Sequence, residues 1–489
     1  MVASLASVVR EVDGRFELTQ ELPTSSLYNK DLAPTPLSAR TWGYYEYASI
    51  WIGLAVCVPT WMLGSSMIAA GFDWVTTMIT IALGNCIVLV PMVMNSFPGA
   101  KFGIPFAVLL RSSFGVYGTN LPSILRGIVA CGWFGIQTWI GGASIDGLLT
   151  ALTPAWAVVP AHVWVSFFVF WAMNMAICWY APPGKSMPGV KLMADYAAPI
   201  LLLIGVGLLW WAVSAAGGWG PMLNQPNKAD MALWPAFLTA MVAYWATMAL
   251  SIADITRFAR NQKVQYWGQI LGMPTTMTVY AFFGVAVTSA TVVIYGSAVW
   301  DPIEVMTKTG NPLFMFVGLI FIILATLTTN VTANIVAPAY AFTNLFPKYI
   351  SWRVGAILTG IVGVIMQPWN LLADPTAYIF TWLGNYSGFL GPIAGIMIAD
   401  YWICRRHNLH LHDLYLPNGR YRYMNGWNPV GVGALIVAVV VCFLPFPFMT
   451  DWRWFIGAFV GLVVYWLLYE FYLVKNYEGE AASAGRSAT

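Results

Sequence analysis

The chain has 489 residues, of which 59% are hydrophobic and only 9% charged. A soluble domain carries roughly 25% charged residues, so an apolar excess of this size excludes a soluble globular protein and defines an integral membrane protein. The net charge of +3 excludes nothing by itself; its distribution along the chain is what informs.

Residues 1–45 are interrupted by Glu11, Asp13, Glu17 and Glu21. No apolar core precedes a small-residue cleavage site, so they are expected to form a polar cytoplasmic tail and not a signal peptide. Taking ~20 apolar residues as the length of a crossing helix, about twelve spans follow. They lie near 48–72, 76–97, 121–152, 161–180, 191–216, 233–255, 267–297, 312–343, 354–371, 376–403, 430–448 and 453–473. The apolar segments are continuous, not alternating, which excludes a membrane β-barrel. No linker separates domains. The expected plan is a tail at 1–45, one transmembrane domain at 46–474 and a second cytoplasmic tail at 475–489.

With the N-terminus inside, the cytoplasmic loops and helix ends carry Lys101, Arg111, Arg126, Lys185, Lys191, Arg257, Arg260, Lys263, Lys348, Arg353, Arg405, Arg406, Arg420 and Arg422. The other side keeps Lys228, Lys308 and Arg453. The positive-inside rule therefore places both termini in the cytoplasm. The six cysteines lie in or beside spans and show neither disulfide nor metal spacing. There is no Walker A loop, and no catalytic constellation stands out, so neither ATP-driven transport nor an enzyme is expected.

Two spans look interrupted. The first contains Gly53 and Pro59, a flexible residue and one that removes a backbone donor. The sixth starts after Trp234-Pro235 and carries Tyr244-Trp245-Ala246-Thr247 near its middle. Either Pro59 only kinks its helix, or the two spans are the paired broken helices of an inverted-repeat transporter. On the second reading the repeats cover about 46–216 and 233–403, with two helices appended at 430–473.

Polar groups at membrane depth are costly and face a cavity or a partner. Trp133 and Gln137 are four apart on one helix face, and together suit a planar heterocycle bearing N–H and C=O groups. Trp245 is placed to supply the opposite face of a stack; for each tryptophan the alternative is packing or an interfacial belt. Asn334 offers another amide, or an interhelical hydrogen bond like its neighbour Asn330. Thr328 and Thr329 either bond back to the preceding turn or join carbonyls freed by a broken helix around a small hard cation. Asp146, Asp195 and Asp254 lie near span ends. Asp254, three residues before Arg257, is expected in an ion pair, and no carboxylate sits plainly at mid-membrane for a proton relay.

The stretches Trp133-Phe134-Gly135-Ile136-Gln137-Thr138-Trp139, Trp245-Ala246-Thr247, Thr329 to Tyr340 and Gly391 to Tyr401 resemble the nucleobase:cation symporter-1 family. So do Leu27-Tyr28-Asn29-Lys30-Asp31-Leu32 and His412-Asp413-Leu414-Tyr415. The resemblance runs in order over nearly the whole chain. It implies an all-α membrane protein with a LeuT-type fold of 5+5 inverted repeats plus two C-terminal helices. Carried over by position, it implies that Trp133 and Trp245 sandwich a ring while Gln137 and Asn334 bond its polar edge. It also implies that Na⁺ is held by the carbonyls of Gly53, Val56 and Phe321 with the hydroxyls of Thr328 and Thr329. Cys57 stands where the family's hydantoin and allantoin carriers have Gln or Asn, and a thiol is a weak donor and acceptor.

The expected function is cation-coupled import of a uracil-like pyrimidine, allantoin or hydantoin, with Na⁺ as coupling ion and no other cofactor. The alternative is a proton-coupled carrier, or an uncoupled facilitator or channel, for a related ring such as cytosine or a thiamine-type vitamin. The expected setting is the plasma (inner) membrane, as a functional monomer that binds no nucleic acid.

Overall fold

The computed structural model describes residues 8–180 and 188–478, without the side chains of 188–198 and 474–478. Lys185 and the last C-terminal residues therefore lie outside the described residues, as do the side chains of Lys191 and Asp195. Strands β1 (Val9–Val12) and β2 (Arg15–Leu18) form an antiparallel hairpin. Its two-residue turn is Asp13-Gly14, with φ of 51° and 71°, the left-handed pair that such a turn requires.

Twenty α-helices follow: α1 (Tyr44–Ala55), α2 (Val58–Ala69), α3 (Trp74–Phe102), α4 (Phe106–Phe114), α5 (Asn120–Leu152), α6 (His162–Tyr180), α7 (Pro188–Ala215), α8 (Trp219–Leu223), α9 (Trp234–Ser251) and α10 (Ala253–Thr256). Then come α11 (Gln262–Tyr295), α12 (Pro302–Lys308), α13 (Pro312–Thr329), α14 (Val336–Leu345), α15 (Trp352–Ile365), α16 (Pro368–Leu371), α17 (Asn385–Ile398), α18 (Pro429–Cys442), α19 (Pro447–Asp451) and α20 (Arg453–Leu468). Several start on a polar cap followed by proline, as at Asp301-Pro302, Asn311-Pro312 and Asn428-Pro429. The cap oxygen takes an orphan N–H, and proline lacks one to leave unpaired.

Among the described residues eight helical segments are long and apolar enough to span a membrane, nine when the bent α1–α2 pair is included. Three shorter apolar helices, Pro199–Ala215, Trp352–Ile365 and Pro429–Cys442, complete the expected twelve. Helices α1, α2, α3, α9 and α11 pack together, and α5, α6, α13, α14 and α15 form a second group. The appended α18 and α20 pack against α17.

The first span breaks, with a 53° bend between α1 and α2. Pro59, second in α2, has no N–H for the Ala55 carbonyl, and its ring clashes there. The break falls one turn before it, with Val56 and Cys57 outside helical geometry. The Cys57 N–H turns to Ala55 O at 3.0 Å, which releases the Gly53 carbonyl it would otherwise meet. The expected interruption of the sixth span at Tyr244–Thr247 does not occur. Helix α9 runs unbroken from Trp234 to Ser251, and the helix is interrupted only at Ile252, before α10. With neither Gly nor Pro at its centre, nothing removes a backbone bond there.

The described part of the segment before α1, expected as a polar tail, is folded onto one end of the bundle. Arg40 donates to the carbonyls of Thr35, Phe16, Ala100 and Lys101. Arg257 Nε donates to Thr35 Oγ1 at 2.7 Å, and Arg111 Nη2 to Leu27 O and Asn344 Oδ1. Burial alone would raise the Glu17 carboxyl, but the Leu37 N–H and the Arg10 guanidinium outweigh it and hold it below its ordinary value. The expected Asp254–Arg257 ion pair does not form. Asp254 Oδ1 instead accepts the Phe106 N–H at the start of α4, at 2.8 Å.

Candidate functional site

The break, α5, α9 and the end of α13 converge on one cavity lined by Cys57, Trp133, Gln137, Trp245, Thr329 and Asn334, all from the sequence reading, together with Tyr244. It is small, about 40 Å³ at water centres, room for a few waters at roughly 10–15 Å³ each. Trp133 and Gln137 reach it from one face of α5, where both are buried. The Gln137 Oε1 and Trp245 Nε1 atoms are buried without a partner among the described residues. An unpaired buried polar group costs roughly 1–3 kcal/mol, so these atoms call for a polar guest.

The two tryptophans form no ring pair with each other. Each meets Tyr244 edge-on at 5.2 Å, with interplanar angles of 75° for Trp133 and 82° for Trp245. Trp382 and Tyr378 back Trp133 at 6.1 and 6.2 Å, and Trp51 backs Trp245 at 5.4 Å. The Cys57 thiol is 3.4 Å from both Thr60 Oγ1 and the Tyr244 hydroxyl.

The α13–α14 junction passes through a π-helical stretch, Asn330–Ile335, a widened turn that often marks functional positions. Asn330 donates to Phe134 O and Thr138 Oγ1 and accepts from Asn334 Nδ2 at 3.0 Å. It therefore anchors the junction to α5 and orients Asn334.

Beside the cavity, Thr329 Oγ1 donates to the released Gly53 carbonyl at 3.0 Å. Thr328 Oγ1 bonds back to Ala325 O at 3.0 Å. Val56 lies in the break, and no donor among the described residues meets its carbonyl. Phe321 is not brought to this cluster. It precedes Thr328 by seven residues, about 10 Å of helix rise, and the carbonyl beside the hydroxyls is that of Ala325. The donor set is neutral oxygen from carbonyls and hydroxyls, which suits a small hard cation.

Arg126, counted among the cytoplasmic cations, is fully buried two turns from Trp133. It joins α5 to α9 through Thr247 O and Ser251 Oγ, at 3.3 and 2.6 Å. Sequence reasoning missed Tyr244 and Ala325. Tyr244 had a visible signal, as the polar aromatic beside Trp245. Ala325 had only its place one helical turn before the two threonines.

These features define a membrane transport protein with the LeuT-type fold. A family model described as a permease for cytosine/purines, uracil, thiamine and allantoin matches residues 34–468, and the chain belongs to that family. It is 41% identical over 429 residues to the purine-uracil permease NCS1 of Arabidopsis thaliana, covering 85% of this chain and 71% of the relative. It is 35% identical over 465 residues to the allantoin permease of Bacillus subtilis, covering 91% and 94%. The structure resembles that of Mhp1, a nucleobase-cation-symport-1 family transporter, closed with bromovinylhydantoin bound. That likeness has a TM-score of 0.80 at 27% identity and covers 92% of this chain and 97% of Mhp1. The family consists of permeases and not enzymes.

Proposed function

We propose that this chain is a symporter that imports a planar nucleobase or cyclic ureide together with Na⁺. The observation that carries the reading is that Thr329 belongs to both halves of the site. It lines the cavity with Trp133 and Trp245 and also bonds to Gly53 across the helix break. The names of the relatives support a uracil, allantoin or hydantoin ring as substrate.

In this reading Trp133 and Trp245 stack on the ring, and Gln137 and Asn334 bond its N–H and C=O groups. The carbonyls of Gly53, Val56 and Ala325 hold the cation with the Thr328 and Thr329 hydroxyls. An ion there ties the break to the end of α13, which leads directly into the π-helical stretch that carries Asn334, so ion and ring favour the same arrangement of the two helix groups. That shared preference is the coupling free energy a symporter needs. The transporter acts as a monomer in the plasma membrane with both termini in the cytoplasm.

The test is uptake of labelled uracil, allantoin and hydantoin into proteoliposomes with and without a sodium gradient. Accumulation above the external concentration only with the sodium gradient is expected. Accumulation driven by a proton gradient alone sinks the sodium assignment, and equilibration without accumulation sinks symport.

A further inference from the structure

Tyr244 is the residue the functional reading has not used. It lines the cavity, and its ring is the edge-on neighbour of both Trp133 and Trp245. Its hydroxyl is not free to move: Thr60 Oγ1 lies 2.9 Å away and Cys57 Sγ 3.4 Å, and those two atoms are 3.4 Å from each other. Phenol, alcohol and thiol each carry one hydrogen and at least one lone pair. Three such groups in mutual contact satisfy one another when each donates once and accepts once. All three residues are buried, so the arrangement closes on itself and leaves no group that needs a substrate.

Two consequences follow. Cys57, expected to read the substrate, has its thiol engaged within the protein and acts as a positioning residue for Tyr244. The phenol ring, pinned at its far end to the start of α2, is a fixed wall beside the tryptophans. A wall at the edge of the stack does not obstruct a flat ring lying between the faces of the two tryptophans. It does obstruct an arm attached to that ring and directed at the wall, and the cavity has little spare volume.

We infer that Tyr244 is a specificity-determining residue, a size filter locked by Thr60 and Cys57. It restricts the transporter to small planar rings without a bulky substituent on the edge that faces it. The inference rests on the reading of the cavity as a heterocycle site.

The experiment measures displacement of labelled uracil and labelled hydantoin from the purified transporter in detergent. The competitors are each parent ring and its phenyl-substituted forms: 5-phenyluracil, 6-phenyluracil and 5-phenylhydantoin. Wild type is expected to favour a parent ring over every substituted form. Tyr244→Ala is expected to reduce that preference by about tenfold or more for at least one form, the scale on which a pocket discriminates by size. Tyr244→Phe keeps the ring but releases the hydroxyl, and is expected to reduce it by less.

An unchanged preference in Tyr244→Ala, with the parent ring still bound, overturns the size filter. Loss of all binding in both variants at an unaltered melting temperature also overturns it, because Tyr244 would then serve only to support the tryptophans. Failure of wild type to bind either parent ring removes the functional reading itself, and with it the inference.

Discussion

The first and sixth spans both carry tryptophan and border the cavity, yet they serve it by different means. The first is cut at Val56-Cys57 and bends by 53°, so it offers backbone: the Gly53 carbonyl is taken by Thr329, and the Val56 carbonyl has no donor among the described residues. The sixth is an intact helix through Tyr244, Trp245 and Thr247, so no carbonyl is released by a break and what it offers the cavity is side chains. Breaking a helix exposes carbonyls suited to a cation. Keeping it whole fixes aromatic rings against one another.

On that division, damage to the intact helix has the largest effect. Ala246→Pro removes one helical hydrogen bond and sets the proline ring against the preceding turn, at a cost of about 3 kcal/mol. A marked fall in melting temperature is expected, together with loss of ring binding. A variant that melts and binds like wild type would show that the sixth span tolerates a break after all. Next in size is Trp133→Ala. Stacking a base on an aromatic is worth about 1–3 kcal/mol by alanine substitution, so affinity for the ring should fall by about 5- to 150-fold. Titration of labelled substrate reads this directly, and unchanged affinity removes Trp133 from the stack.

Much of this division is visible in the sequence, and what is not has a local cause. Pro59 announces the first break because proline acts on the turn before it whatever surrounds it. Trp133, Gln137 and Asn334 stand out because polar groups at membrane depth need a reason. The unbroken sixth helix is not legible in the sequence because aromatic and polar residues at a helix centre look the same whether they cap a break or line a pocket. Only a Gly or Pro would have distinguished them, and α9 has neither at its centre. Phe321 was placed with the cation ligands although helix rise puts it two turns away, whereas Ala325 lies within a turn of both threonines. The folded segment before α1 was hidden because Arg111 and Arg257 enter the sequence reading only as cytoplasmic cations; their carbonyl partners, Leu414 O and Ala33 O, lie far away along the chain.

The two remaining predictions separate side chain from backbone across the contact between the end of α13 and the first span. Thr329→Ala removes a hydroxyl that bonds to Gly53 and borders the cavity. Loss of one such hydrogen bond is worth about 1 kcal/mol, and the sodium concentration for half-maximal ring binding should rise about fivefold. An unaltered sodium response takes Thr329 out of the cation site. Gly53→Ala is the smallest change and the sharpest control. A Cβ built at Gly53 meets no atom within 4 Å, the residue lies within α1, and alanine in a helix is favoured over glycine by up to about 1 kcal/mol. Because Gly53 contributes only its carbonyl, the variant should melt at the same temperature or slightly higher and keep the wild-type sodium dependence. A shifted sodium response in a stable Gly53→Ala protein would mean that flexibility at this position, and not the carbonyl alone, serves the ion, and the contrast between a broken span that gives backbone and an intact one that gives side chains would fail.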